Sequence, residues 1–410
     1  MNSGDTAWVL TATALVLLMT IPGLAFFYGG LVRRKNVLSI LMQCFIILCV
    51  ISLQWMLFGY SLAFGPSFHG IIGNLDWAGL NGVGMAPNPA YAATIPHSVF
   101  MIFQAMFAVI TPALIIGAYA ERVKFSAFLL FTILWSTFVY DPLAHWVWST
   151  GGWLKALGGL DFAGGIVVHV SSGISALILA LLLGKRIGYN HKPIRPHNLP
   201  FTVMGGALLW FGWFGFNAGS ALAADGIAAN AFVTTHMATA AAGLTWALIE
   251  WWHNGSPTIL GAVTGAVAGL VAVTPACGFV NPMNAMFIGI MVAVICYLAV
   301  AVIKAKLGYD DSLDAFGVHG VGGTVGTIAT GIFAQKSINA AGADGLLFGN
   351  VHQLFVQGLM VVVTIVFAVV MTFVIFKVVD AIIGMRVEEN NEVMGLDLTQ
   401  QSEAAYTVIE

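Results

Sequence analysis

Charge is what this chain has least of. Only 8% of its 410 residues are Asp, Glu, Lys or Arg, against roughly 25% in an ordinary soluble domain. With 59% of residues hydrophobic, so few charges cannot cover a water-facing surface, and the chain must be solvated by lipid. No basic patch suits nucleic acid, and a net charge of −3 selects no partner. Cysteine is sparse as well. Cys44, Cys49, Cys277 and Cys296 lie in or beside apolar runs without CxxC spacing, which argues for packing rather than disulfides or metal ligation. No Walker motif, nucleophile constellation or metal-ligand cluster appears, so neither an enzyme nor a cofactor is expected. The opening Met-Asn-Ser-Gly-Asp-Thr lacks the positive region of a signal peptide. The first apolar run is therefore expected to stay as a membrane span.

Long apolar runs and glycine are what the chain has in abundance. Its 47 glycines exceed the ~7% of average usage, and small residues let membrane helices approach closely. A membrane helix needs ~20 predominantly apolar residues. Eleven such runs occur, at 7–32, 38–64, 97–120, 126–148, 164–184, 200–222, 228–252, 258–275, 284–305, 316–334 and 352–381. The expected fold class is an all-α polytopic membrane protein. Turn signals separate the runs: Gly65-Pro66, Pro87 and Pro89, Gly151-Gly152, Pro193 and Pro196, and Asn254-Gly255. Residues 1–381 would form the transmembrane domain, and 382–410 a polar, acidic tail too short for a domain of its own.

Basic residues set the expected orientation. Arg33, Arg34 and Lys35 follow the first run, Arg122 and Lys124 the third, and Lys185, Arg186, Lys192 and Arg195 the fifth. Lys304 and Lys306 follow the ninth, and Lys377 and Arg386 flank the end of the last. All share one side if the chain alternates, leaving only Lys155 and Lys336 on the other. The positive-inside rule then places the amino terminus outside and the tail in the cytoplasm. Five runs precede the 186–199 loop and five lie between it and Gln335. Five being odd, halves of about 7–185 and 200–336 would form an inverted repeat, with 352–381 an extra helix. Such repeats place a substrate site near the midplane.

One polar stretch organises the rest: Asp161-Phe-Ala-Gly-Gly-Ile-Val-Val-His169 at the head of the fifth run. A second, Asp314-Ala-Phe-Gly-Val-His319, heads the tenth, with the carboxylate five residues from the histidine instead of eight. A lone histidine on an apolar face is ordinarily a packing residue. Two at matching places in a repeat point to function, and an ionisable group inside a membrane is a functional-site hypothesis by default. Each would have the other as partner. A neutral imidazole is one donor and one acceptor, so the pair could line a weakly polar path and relay a proton. Axial ligation of a haem iron is the competing reading. Transition-metal transport is a third, though these spans carry no thiolate or carboxylate company.

Aromatic residues gather toward the expected outer face: Phe103 and Phe107 in the third run, Trp148 ending the fourth, Phe216 with Ser220 late in the sixth. They read either as an interfacial aromatic belt or as a cup for a cation, since a desolvated cation on Trp is worth ~2 kcal/mol. Asp161 precedes its helix, where a carboxylate caps free N–H groups, with a secondary role in keeping negative potential near the cup. A small amine cation drawn into such a cup and then offered an uncharged path would shed its proton. A metal ion has none to shed.

With these residues in view, the sequence resembles the Amt/Mep/Rh ammonium transporter family, on its bacterial Amt branch. The resemblance runs from Ile21-Pro-Gly-Leu-Ala-Phe-Phe-Tyr-Gly-Gly-Leu to the tail. It is most specific at Asp161-Phe-Ala-Gly-Gly, Gly212-Trp-Phe-Gly-Phe-Asn-Ala-Gly-Ser220 and Phe316-Gly-Val-His-Gly-Val. It implies eleven helices, an external amino terminus, and a homotrimer in the inner (plasma) membrane with one pore per subunit. By motif match, Phe107, Trp148 and Ser220, with Phe103 nearby, would recruit ammonium. Phe107 and Phe216 would be the stacked gate, His169 and His319 the pore pair, and Asp161 the supporting carboxylate. Leu24, Phe27, Tyr140 and Trp213 would line or back the lumen. The tail, with Gly384-Met-Arg-Val and Gly395-Leu-Asp397, is similar to the family's regulatory segment. At Gln401-Ser-Glu-Ala-Ala-Tyr406 it departs from the family's His-Gly-Glu pattern. A PII-type signal protein as cytoplasmic partner is likewise implied by family. An ammonium sensor is the remaining alternative.

Overall fold

All eleven apolar runs are helical, the conformation in which a segment satisfies its own backbone polar groups. The structure, a computed structural model, describes residues 1–192 and 194–406. Pro193, one of the expected turn signals, and the end of the tail lie outside the described residues. The helices are α1 Ser3–Leu31, α2 Arg34–Phe64, α3 His97–Tyr119, α4 Phe125–Ala156, α5 Gly165–Leu183, α6 Leu199–Gly219, α7 Gly226–Asn254, α8 Ile259–Val273 and α9 Pro282–Leu307. α10 opens at Phe316–Gly320 and continues as Val321–Phe333, and α11 is Val351–Ile383. Among the described residues, nine helices are long and apolar enough to cross a membrane, while α8 is a shorter apolar helix.

The starts of these helices follow from sequence. Asn2, Asn198, Asp225, Thr258, Asn281 and Asn350 each stand one residue before a helix, and each side chain accepts a hydrogen bond from the first turn. Asn254-Gly255 works at the other end: Gly255 takes φ 81° and closes α7 in the left-handed region. The 65–96 loop folds into two small antiparallel hairpins, β1 Ser67–Phe68 with β2 Ile72–Gly73, and β3 Pro87–Asn88 with β4 Ala92–Pro96. Large apolar side chains such as Leu244, Trp252 and Phe355 are exposed, as expected of surfaces whose solvent is hydrocarbon.

α5 and α10 cross at the centre, where glycine is indispensable. A Cβ on Gly173 would collide with the backbone nitrogen of Gly320, and one on Gly323 would lie 2.9 Å from the His169 Cβ and 3.0 Å from the Val170 nitrogen. Gly323 stands 150 positions after Gly173, Gly320 150 after Val170, and His319 150 after His169. The two contacts are thus the same contact made twice, once from each helix. Both histidines sit in wide π-helical turns, Gly165–Val170 and Phe316–Gly320, a distortion found often at functional sites.

The tail returns to the end of the bundle where α2 begins. Short helices α12 Glu389–Met394 and α13 Leu396–Gln401 carry it. Asp397 Oδ1 accepts the Ser39 N–H at 2.8 Å, so a tail residue caps α2. Leu396 donates its N–H to Asn36 Oδ1 at 2.8 Å, and the Glu392 carboxylate accepts from the Ile187 N–H at 2.7 Å and from Arg386 at 2.8 Å.

Candidate functional site

The site starts from two helix N-termini built alike. The Asp161 carboxylate is buried and takes the N–H groups of Gly164, Gly165, Ile166 and Val167 at 2.8, 2.6, 2.8 and 3.2 Å. Gly164 turns the chain into the helix at φ 120°, which a side chain would resist. The expected counterpart, Asp314, does not play this part. Asp311 does, accepting from the Ala315 and Phe316 N–H groups at 3.2 and 2.8 Å. Asp311 precedes His319 by eight residues, as Asp161 precedes His169, so the two stretches match in register after all. Asp314 occupies the Gly164 position, also at positive φ (61°), and its carboxylate pairs with Lys304 at 2.6 Å. A cap has to sit ahead of the turn it closes, and Asp314 is too near the helix to reach back.

The two imidazoles meet. Their rings lie 5.3 Å apart at 19°, with Nδ1 to Nδ1 at 3.3 Å, so one donates to the other. Both are buried, and the Nε2 of His169 has no protein partner. Trp213 stacks on His169 at 5.4 Å and 23°, and is itself fixed by its Nε1–H donating to Thr274 Oγ1 at 2.9 Å.

Three cavities line up through this point. At one end Phe107, Trp148 and Ser220 line a space of about 190 Å³. Phe107 meets Phe216 in a stack of 4.3 Å and 26°, and Trp148 edge-on at 5.7 Å. Phe103 is fully buried behind, 5.0 Å from Phe107. Beyond the stacked pair lies a passage of about 10 Å³, room for about one water molecule, lined by Leu24, Phe27, Trp213, Phe216, His169 and His319 among other apolar side chains, with no carboxylate or amine. His319 and Phe27 also face the third cavity, about 710 Å³, at the opposite end. A haem does not fit: so small a passage cannot hold the macrocycle, and two rings 5.3 Å apart leave no room for one between them.

The aromatic cavity and the wide one differ in charge. Trp148 donates its Nε1–H to the Asp161 carbonyl at 3.0 Å, and the Asp161 carboxylate faces its own helix. Ion pairs crowd the opposite end, where Arg186 joins Asp310 at 2.8 Å and Glu121 at 3.2 Å, and Arg33 joins Glu121 at 2.8 Å. Burial would push the Asp310 carboxyl up, but the Arg186 guanidinium, with Arg122 near, holds it below its ordinary value. Burial pushes Arg122 down to about 10, still charged at neutral pH.

The Ammonium Transporter Family model matches residues 7–406. The chain belongs to that family. It is 54% identical over 406 residues to an ammonium transporter of Bacillus subtilis, covering 99% of each chain. It is 49% identical over 407 residues to the ammonium transporter Amt1 of Archaeoglobus fulgidus, covering 99% of this chain and 100% of the other. Among solved structures it resembles Saccharomyces cerevisiae Mep2, with TM-score 0.89 and 37% identity over 95% of this chain and 88% of that one. A sensor Amt protein matches with TM-score 0.88 and 31% identity over 97% and 98%. The chain is a multi-pass membrane protein that transports ammonium.

In this member of the Ammonium Transporter Family one expected residue stands apart. Tyr140 lines none of the three cavities; it is buried, with its ring 6.1 Å from that of Trp55. Gln104 and Lys155 also line the aromatic cavity, where neither was expected. For Gln104 the available signal was its place one turn before Phe107 on α3. For Asp311 it was the eight-residue spacing.

Proposed function

We propose that the aromatic cavity captures ammonium as a cation, that the Phe107–Phe216 pair gates it, and that it crosses past His169 and His319 as ammonia, with or without its proton. The observation that carries this is the passage itself: about 10 Å³, apolar, and furnished with two imidazoles bonded to each other and no charge to hold an ion. An unpaired ammonium there loses its proton rather than its solvation. In the cavity before it, Trp148 and Phe107 offer π faces, and Ser220, which donates to the Phe216 carbonyl at 2.8 Å, keeps lone pairs for an N–H donor. The carbonyl end of α6 points the same way, favouring a cation, while Asp161 neutralises the positive end of α5. Leu24, Phe27 and Trp213 keep the passage narrow and dry.

We infer also that all eleven helices cross the membrane, five and five in an inverted repeat with α11 outside it. The repeated 150-residue offset at caps, histidines and crossing glycines supports this. Basic residues beside the wide cavity support a cytoplasmic tail and an external amino terminus. A homotrimer in the inner membrane and a PII-type partner on the cytoplasmic face rest on the family resemblance. The test is ammonium flux by purified protein in lipid vesicles. His169→Asp would place a fixed acceptor in the passage, and flux should fall by about 100-fold or more; full flux in that variant would refute the histidine path.

A further inference from the structure

Lys155 is the one charged side chain lining the aromatic cavity. It stands on the short helix Trp153–Ala156 that closes α4, set off from the part ending at Trp148 by the extended residues Ser149 and Gly152, on the side of the membrane where the charge pattern leaves only Lys155 and Lys336. Its Nζ donates to the Trp148 carbonyl at 2.9 Å, which ties the ammonium group to the residue whose ring borders the cavity. Among the described residues it forms no ion pair, and the nearby Asp161 carboxylate is spent on four N–H groups of α5. No carboxylate therefore pairs with the positive charge at the mouth, which meets only the Trp148 carbonyl. A like charge opposes the arrival of a cation and disfavours the protonated form of an amine held beside it.

We propose that Lys155 sets the affinity of the aromatic cavity for ammonium, holding it low by repulsion between fixed and bound cations. This rests on the reading of that cavity as the capture site. The repulsion acts through partly open solvent, so it is screened: the Debye length is about 30 Å at 0.01 M salt and about 10 Å at 0.1 M. A steric or hydrogen-bonding role has no such dependence.

The experiment measures ammonium uptake against concentration in vesicles of neutral lipid, at low and at moderate ionic strength, for the wild type, Lys155→Gln, Lys155→Met and Lys155→Arg. At low salt the half-saturating concentration should fall about threefold to tenfold in both neutral variants, and Lys155→Arg should keep the wild-type value. The gap should narrow at moderate salt. A half-saturating concentration that rises in Lys155→Met, or a change shared by Lys155→Arg, would overturn the proposal and leave Lys155 as a prop for Trp148. So would a fall indifferent to salt. Trp148→Leu separates the two levels: if it leaves the concentration dependence unchanged, the capture site itself is misplaced, whereas a weakened Trp148→Leu beside unchanged Lys155 variants removes only the role of the lysine.

Discussion

The N-termini of α5 and α10 use one backbone device in two electrostatic settings. Each has an aspartate eight residues before a histidine, a residue at positive φ, and a wide turn that carries the imidazole to the centre. At α5 the carboxylate takes four N–H groups, and the surroundings are aromatic. At α10 it takes two, and Lys304, Asp314, Asp310 and Arg186 lie around it. Burial pushes the Asp311 carboxyl up to about 6, with Lys304 pulling the other way. A shared scaffold thus brings the two histidines together, while the neighbours differ: aromatic rings around one entrance, ion pairs around the other.

The largest effect should come from removing the caps. Asp161→Ala leaves four buried donors without an acceptor, each costing ~1–3 kcal/mol before relaxation. We expect a net loss of about 3–5 kcal/mol, against about 2 kcal/mol for Asp311→Ala with its two donors. Thermal unfolding of the purified proteins in one detergent ranks them. Equal losses would mean that the number of donors is not what separates the entrances.

Next in size is Trp148→Leu. The fold should be untouched, because the indole lies at the rim of the cavity and its one hydrogen bond goes to a backbone carbonyl. Capture should weaken by about tenfold in half-saturating ammonium, from the loss of a partly desolvated cation–π face. A maximal rate close to wild type would accompany it, since the passage beyond Phe216 is unaltered. An unchanged half-saturation would cancel the contrast between an aromatic and a charged entrance.

Much of this arrangement was legible from residue types alone. Every apolar run is helical, the conformation that lets one segment satisfy its own backbone polar groups. The Phe107–Phe216 stack and the imidazole pair appear where motif and spacing placed them. Asp314 looked like the partner of Asp161 because it is the carboxylate next to Phe-Gly-Val-His in sequence; the eight-residue spacing already pointed to Asp311, and the N–H groups of Ala315 and Phe316 bear that spacing out. What was not legible depended on distance in three dimensions. Tail docking was hidden, for a cap on α2 supplied by Asp397 spans 358 positions of chain.

The smallest effect, and the finest test of the contrast, belongs to Ser220→Ala. Ser220 ends α6, and its hydroxyl hydrogen is committed to the Phe216 carbonyl at 2.8 Å. That leaves the oxygen as an acceptor only, which an ammonium N–H can use and a bare alkali cation can use only by direct coordination. Removing one partly solvated hydrogen bond to a charged group should cost about 0.7 kcal/mol, or about threefold in half-saturating ammonium. Combined with Trp148→Leu, the two losses should fall short of multiplying if both groups hold the same ion, because an ion already displaced from the indole no longer meets the hydroxyl in the same geometry. A strictly multiplicative double variant would instead assign the ring and the hydroxyl to two different stations along the cavity, and the aromatic entrance would then be a path with successive stops rather than a single cup.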